Sequence, residues 1–166
     1  VQPAVGVDYG TTNAFAALLL ALGTDGRLYL VREWRFDSKA ERRQMTDVEY
    51  SAALREWLAT VDLPGGLRGV KPEWVVVDPS AASFRVQLHR DGLTSTKANN
   101  DVVDSIRTAA SLFARDLLFI NDRCTGLLDE IPGYCWDAEA TLLGRDEPIK
   151  VNDHSIDAGL RYAIHT

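Results

Sequence analysis

The hydrophobic positions along this chain change period several times, and each change marks a boundary between elements. From Ala4 to Tyr9 small and apolar residues alternate before Gly10-Thr11-Thr12-Asn13, which predicts a strand running into a turn. Ala14 to Leu22 is continuously apolar, a second strand. Gly23-Thr24-Asp25-Gly26 is a turn signal, and Arg27 to Phe36 is rich in aromatic and β-branched residues, the pattern of a hairpin partner. The chain is therefore expected to open as a three-stranded antiparallel meander.

At Thr46 the spacing becomes helical. Val48, Ala52, Leu54, Leu58 and Val61 form a broad apolar stripe, and Thr46 with Glu49 makes a capping box. Pro64-Gly65-Gly66 ends that helix. The unbroken run Trp74-Val75-Val76-Val77 predicts a strand covered on both faces, with Asp78 at its C-terminal end. Ser80 to Arg90 reads as a short helix and Asn100 to Ala114 as a longer one, with Val103, Ile106, Ala110 and Phe113 inward. Leu117 to Ile120 is a further short strand, and Cys124 to Ile131 a helix closed by Pro132-Gly133. Tyr134 to Ala140 and Ile149 to Val151 are expected to pair as a hairpin, and Asp153 to begin a last helix through Ile164. Three strands, helix, strand, helices, strand and final helix describe one α/β domain: a mixed sheet flanked by helices.

Composition narrows the function classes. With 46% hydrophobic and 25% charged positions, 166 residues suffice for one well-buried core. No run approaches the roughly 18 to 20 apolar residues of a membrane span, so a soluble domain is expected. The opening residue is Val1 and no signal core follows it, which suggests a domain cut from a longer polypeptide. Cys124 and Cys135 have no zinc-like companions and are read as buried free thiols, suited to a reducing compartment. The net charge of -6 argues against a broad electrostatic grip on nucleic acid. Bound cations and a tethered neighbour can offset that charge, leaving weak DNA binding by the isolated domain as the expectation.

The candidate chemistry is acidic. Asp8 ends the first strand, where it either caps a turn or serves a site. Pro79 biases Asp78 toward extended backbone, and Asp78 is either a cap over Ser80 or a second functional carboxylate. If the first and fourth strands are neighbours, both carboxylates emerge at one end of the sheet. In the last helix Asp153, His154 and Asp157 lie near one face. Asp153 also suits the N-cap position, and Arg161 one turn beyond Asp157 is an alternative partner for its carboxylate. Clustered carboxylates are tolerated where they hold magnesium or manganese. A pair of ions about 3.5 to 4 Å apart would serve phosphoryl displacement, with His154 as a ligand or proton carrier. Lys97, Arg145 and Lys150 are candidate phosphate contacts or else solvated charges. Trp34, Trp57, Trp74 and Trp136 are expected in the core.

Gly6-Val7-Asp8-Tyr9-Gly10, Val75-Val76-Val77-Asp78-Pro79-Ser80 and the closing Lys150-Val151-Asn152-Asp153-His154-Ser155-Ile156-Asp157-Ala158 with Arg161-Tyr162 together resemble the C-terminal nuclease domain of phage large terminases. Asp129-Glu130 and Tyr134-Cys135-Trp136-Asp137 are similar to that family's penultimate segment. The resemblance implies a ribonuclease H-like fold and a metal-dependent DNA endonuclease that cuts concatemeric viral DNA. It makes Asp8, Asp78 and Asp157 ligands of two Mg2+ or Mn2+ ions, with His154 accessory and Asp153 a further ligand. It also implies double-stranded DNA, an ATPase motor domain, a small terminase subunit and a portal as partners, and the cytoplasm of an infected bacterium as the setting. No Gly-x-x-x-x-Gly-Lys-Ser/Thr loop occurs in this chain, so the motor itself is expected elsewhere. Two other readings compete. Gly6 to Asn13 also resembles the first phosphate loop of the actin, sugar-kinase and chaperone ATPases, and a non-catalytic docking domain of the same fold would use its acids as caps.

Overall fold

β1 (Gln2–Asp8), β2 (Ala14–Leu22) and β3 (Leu28–Asp37) form the expected antiparallel meander, with Asp8 opposite Ala16 and Ala14 opposite Asp37. The computed structural model describes residues 1–10, 14–135, 137–138, 142–143, 147–149 and 153–166. β4 (Trp74–Val77) adds in parallel to β1, and β5 (Thr96–Lys97) in parallel to β4. β6 (Leu118–Ile120) joins the far edge in parallel to β3, giving the order β5-β4-β1-β2-β3-β6. The sheet is thus mixed, antiparallel in the middle and parallel at both margins, as the strand pattern predicts.

Alternation along the strands divides the helices between two faces. Val5, Val7, Phe15, Ala17, Leu19, Val75 and Val77 point to the side covered by α1 (Asp47–Thr60) and α2 (Ala82–Arg90). The capping box of Thr46 and Glu49 is present at the start of α1. The buried stripe of α1 differs from the expected one, because Val48 is 58% exposed and Ala52 is exposed, while Tyr50 and Ser51 are buried. Tyr50 stacks on Phe15 at 4.6 Å and donates its hydroxyl to the Gly10 carbonyl. An amphipathic ring with a satisfied hydroxyl displaces smaller apolar side chains from this face.

Ala4, Ala16, Leu18, Leu20 and Leu30 point the other way. That side is covered by α3 (Val102–Ala114), α4 (Thr125–Glu130) and the terminal helix α5, an α turn His154–Ile156 continuing as a π-helical stretch Asp157–Ala163. α3 turns Ser105 and Ala109 inward, with Val103 and Ile106 only half-buried and Ala110 and Phe113 exposed, a rotation from the expected stripe. The small inward residues suit a helix packed on another helix rather than on large sheet side chains. Of the tryptophans, Trp34 and Trp57 pack against the core as expected, Trp74 is 49% exposed at the start of β4, and Trp136 lies outside the described residues. Both cysteines are free thiols; Cys124 is buried but Cys135 is exposed, contrary to expectation. Of the late hairpin, the Asp137 and Ile149 amides donate to the Glu147 and Cys135 carbonyls, Tyr134, Cys135 and Asp137 lie outside any strand and Ala138 is helical, and Trp136, residues 139–140 and residues 150–151 lie outside the described residues.

Candidate active site

The parallel pairing of β1 and β4 sets the first two carboxylates. Val7 lies opposite Val77, and the Asp78 amide donates to the Val7 carbonyl at 2.9 Å, so the strands end in step. Asp8 and Asp78 therefore leave the same end of two adjacent strands, about 4.8 Å apart in the pairing direction. Asp8 follows Ala4 and Gly6 in the alternation, on the α5 side. Asp78 also performs its local role: its Oδ1 accepts from the Ser80 amide at 2.8 Å and the Ser80 hydroxyl at 2.9 Å.

The helix α5 crosses directly over β1 because Gly6 permits it, while Gly159 of the helix leaves room for side chains of β2 and β3. A Cβ on Gly6 would stand 1.8 Å from the Ala158 carbonyl oxygen, and a Cβ on Gly159 would stand 2.7 Å from Leu18 Cδ2. At Gly6 backbone thus packs almost on backbone. With that close approach, the first turn of α5 reaches the end of β1, and His154 Nδ1 lies 2.8 Å from Asp8 Oδ2. One turn on, Asp157 accepts from Arg161 at 2.5 Å. Arg161 is buried, and its other terminal nitrogen donates to Asn100 Oδ1 at 2.7 Å. The guanidinium partner anticipated for Asp157 is therefore present. Asp153 occupies the N-cap position without a side-chain capping bond.

Burial strains this arrangement electrostatically. Desolvation pushes the Asp157 carboxyl up to about 7, with Arg161 opposing and Asp8 and Asp153 adding to the rise. Burial likewise raises Asp8, opposed by His154 and reinforced by the charges of Asp78 and Asp153. The Asp8 hydrogen bond in turn holds His154 more basic than a free imidazole. Buried beside them, the Tyr134 hydroxyl is pushed up to about 12 and finds no hydrogen-bond partner among the described residues.

The donor chemistry, carboxylate oxygens with one imidazole, fits a hard divalent cation. The side-chain directions are another matter. Asp8 faces His154, Asp78 faces Ser80 and Asp157 faces Arg161, and among the described residues no group of three His, Cys, Asp or Glu side chains stands as a ready ligand set. An ion seated here must exchange those internal partners for itself.

Lys97 ends the short strand β5 opposite Val77, exposed at the carboxylate end of the sheet. Arg145 and Lys150 lie outside the described residues. The strand β5, with only two residues in a polar stretch, carries no hydrophobic pattern by which the sequence would reveal it.

Known structures share this fold. The chain is 37% identical to the large terminase of a thermophilic bacteriophage, solved in complex with ADP, with a TM-score of 0.88 over 99% of this chain and 39% of that one. The chain spans about two fifths of that protein. The P22 large terminase nuclease domain superimposes with a TM-score of 0.71 at 17% identity, covering 99% of this chain and 84% of that domain. The fold is that of the large-terminase nuclease domain. The nuclease domain of the bacteriophage SPP1 large terminase, solved with bound Mn, matches with a TM-score of 0.63 at 16% identity over 98% of this chain and 85% of that domain. No protein-family model and no curated protein sequence matches the chain. Within the terminase-nuclease fold the six-stranded mixed sheet is accounted for.

Proposed function

We propose that this chain is the metal-dependent endonuclease domain of a phage DNA-packaging terminase, hydrolysing phosphodiester bonds of concatemeric viral DNA. The observation that carries the reading is the meeting at one sheet end of Asp8, Asp78 and the His154–Asp157 turn of α5. Asp8, Asp78 and Asp157 would hold the cations, with His154 and Asp153 accessory. When bound, two Mg2+ or Mn2+ ions supply water activation and charge stabilisation for in-line displacement. With Nδ1 bonded to Asp8 and the ring kept basic by that bond, His154 can hold a proton at Nε2 and pass it to or from a phosphate or water oxygen. Arg161 holds Asp157 when no cation is near and orients its carboxylate through Asn100. Lys97, exposed beside the Asp78 strand, suits a backbone phosphate.

Double-stranded DNA is the substrate in this reading. The ATPase region of the same protein, a small terminase subunit and a portal are the partners, in the cytoplasm of an infected bacterium. The acidic net charge of -6 leaves the isolated domain a weak, sequence-independent binder. A plasmid-cleavage assay with Mn2+, Mg2+ or chelator tests the reading. Cleavage with a divalent cation, lost with chelator and in Asp8→Asn, Asp78→Asn and Asp157→Asn, is the expected outcome. Full activity of Asp8→Asn in Mn2+, or no cleavage by the parent at any protein concentration, would overturn it.

A further inference from the structure

The α5 side of the sheet buries a second set of charged groups, separate from the acid centre. Glu130, at the end of α4, has a side chain only 4% exposed. Its Oε2 accepts the Ser155 amide at 2.8 Å and the Ile156 amide at 3.0 Å, and its Oε1 pairs with Arg35 of β3. Arg35 also donates to the Ser155 hydroxyl at 2.8 Å, the Ser155 hydroxyl donates to Glu33, and Glu33 accepts the Gly126 amide at 2.7 Å. A Cβ on Gly126 would press on both Arg35 and Glu33 at 2.6 to 2.8 Å, so the chain is kept bare where the network passes.

The first amides of a helix lack intrahelical acceptors, and the N-cap side chain normally supplies one. In α5 the N-cap residue is Asp153, yet the acceptor comes from Glu130 on another helix. Two consequences follow. The carboxylate of Asp153 is left out of the cap, and its charge acts on Asp8 and Asp157. The rotation of the turn bearing His154 and Asp157 is set by a bond between α4 and Ser155, the residue that follows His154. A buried ionic network is a weak source of net stability compared with apolar packing, so direction is what it contributes.

We propose that Glu130 is a positioning residue of the acid centre: by capping α5 in place of Asp153, it fixes the turn that carries His154 and Asp157 beside Asp8 and leaves the Asp153 carboxylate out of the cap. This rests on the nuclease reading above. Groups that orient metal-binding side chains typically change affinity or rate by about 10- to 100-fold when removed.

The test compares Glu130→Met, similar in length but without an acceptor, with Glu130→Gln, whose amide oxygen can still receive both N–H groups. Leu127→Ala, fully buried in the same helix, serves as a control for simple destabilisation. At a temperature where all are folded, Glu130→Met is expected to lower kcat for Mn2+-dependent plasmid cleavage about 10- to 100-fold with KM for DNA little changed. It should also weaken Mn2+ binding by calorimetry and speed hydrogen exchange at the Ser155 and Ile156 amides. Glu130→Gln should recover most of each, and Leu127→Ala should lower the melting temperature alone. Wild-type kcat and amide protection in Glu130→Met, or an equal kcat loss in Leu127→Ala, overturns the proposal. If Glu130→Met does not fold, Glu130→Gln decides: loss of both protection and kcat overturns it. A parent domain that cuts nothing defeats the nuclease reading instead. Amide exchange and Mn2+ calorimetry then judge Glu130 alone, and unchanged protection in Glu130→Met overturns its role.

Discussion

The two faces of this one sheet are built on opposite principles. The α1 and α2 side is filled by aromatic and aliphatic side chains, with Phe15 stacked on Tyr50 and Tyr9 on Phe84; among the described residues its fully buried polar residues are Tyr50 and Ser51, and the half-buried Arg85 of α2 also buries its Nε. The α5 side uses small residues at Ala4, Gly6, Ala16 and Gly159, and it carries the buried or half-buried charges of Asp8, Glu33, Glu130, Asp157 and Arg161. Large apolar contacts stabilise a fold regardless of chemistry. Buried carboxylates oppose it unless each has a partner. Under the proposed nuclease reading, the difference puts stability on one face and function on the other.

Asp8→Asn breaks the comparison most sharply. On the α5 face it should take plasmid cleavage below detection while leaving the unfolding transition cooperative and near that of the parent, read by calorimetry beside the cleavage assay. Gly6→Ala comes next and should damage both properties, because its methyl meets the Ala158 backbone rather than a movable side chain. A loss of about 3 kcal/mol or more, at or beyond the upper range of overpacking, is expected in denaturant unfolding, together with loss of cleavage as α5 lifts from β1. On the opposite face Leu54→Ala should lose about 2 to 5 kcal/mol of stability yet keep cleavage per folded molecule. Equal loss of cleavage in Leu54→Ala would show that the faces are not separable.

The smallest expected effect is in pH. The Asp157 carboxyl sits at about 7 in the fold, raised by burial from an unfolded value of about 3.9. The fold therefore binds this proton more tightly than the unfolded chain, and the associated stability is present below about pH 4 and lost as pH rises to about 7. With chelator present, the parent should lose stability relative to Asp157→Asn across that window and run parallel to it above. A parent that instead gains stability relative to Asp157→Asn as pH rises would mean that Arg161 overcomes burial and holds Asp157 ionised.

How far the sequence carried these features depends on their range along the chain. Val75-Val76-Val77-Asp78-Pro79 states a buried strand and its stop within five residues, and β4 ends there as read. His154, Asp157 and Arg161 share one helical face by spacing alone, and the Asp157–Arg161 bond follows from it. Tyr50 and Ser51 misled the reading of α1 because their hydroxyls count as polar in a pattern, although each finds a partner, Gly10 and Asp91. The Glu33–Arg35–Glu130–Ser155 network has no local signature, since its members come from separate stretches of sequence and meet only when α4 and α5 pack on β3. The capping of α5 by Glu130 rather than Asp153 is invisible for the same reason.

The central claim is that Asp8, Asp78 and Asp157 converge on a divalent cation once their internal partners give way. A crystal structure of the domain soaked in Mn2+, with anomalous scattering to locate the metal, tests it most directly. The expected result is manganese bound by all three carboxylates, with Asp157 turned away from Arg161. Manganese bound elsewhere while the crystals' protein still cuts DNA, with Asp157 remaining on Arg161, would contradict it.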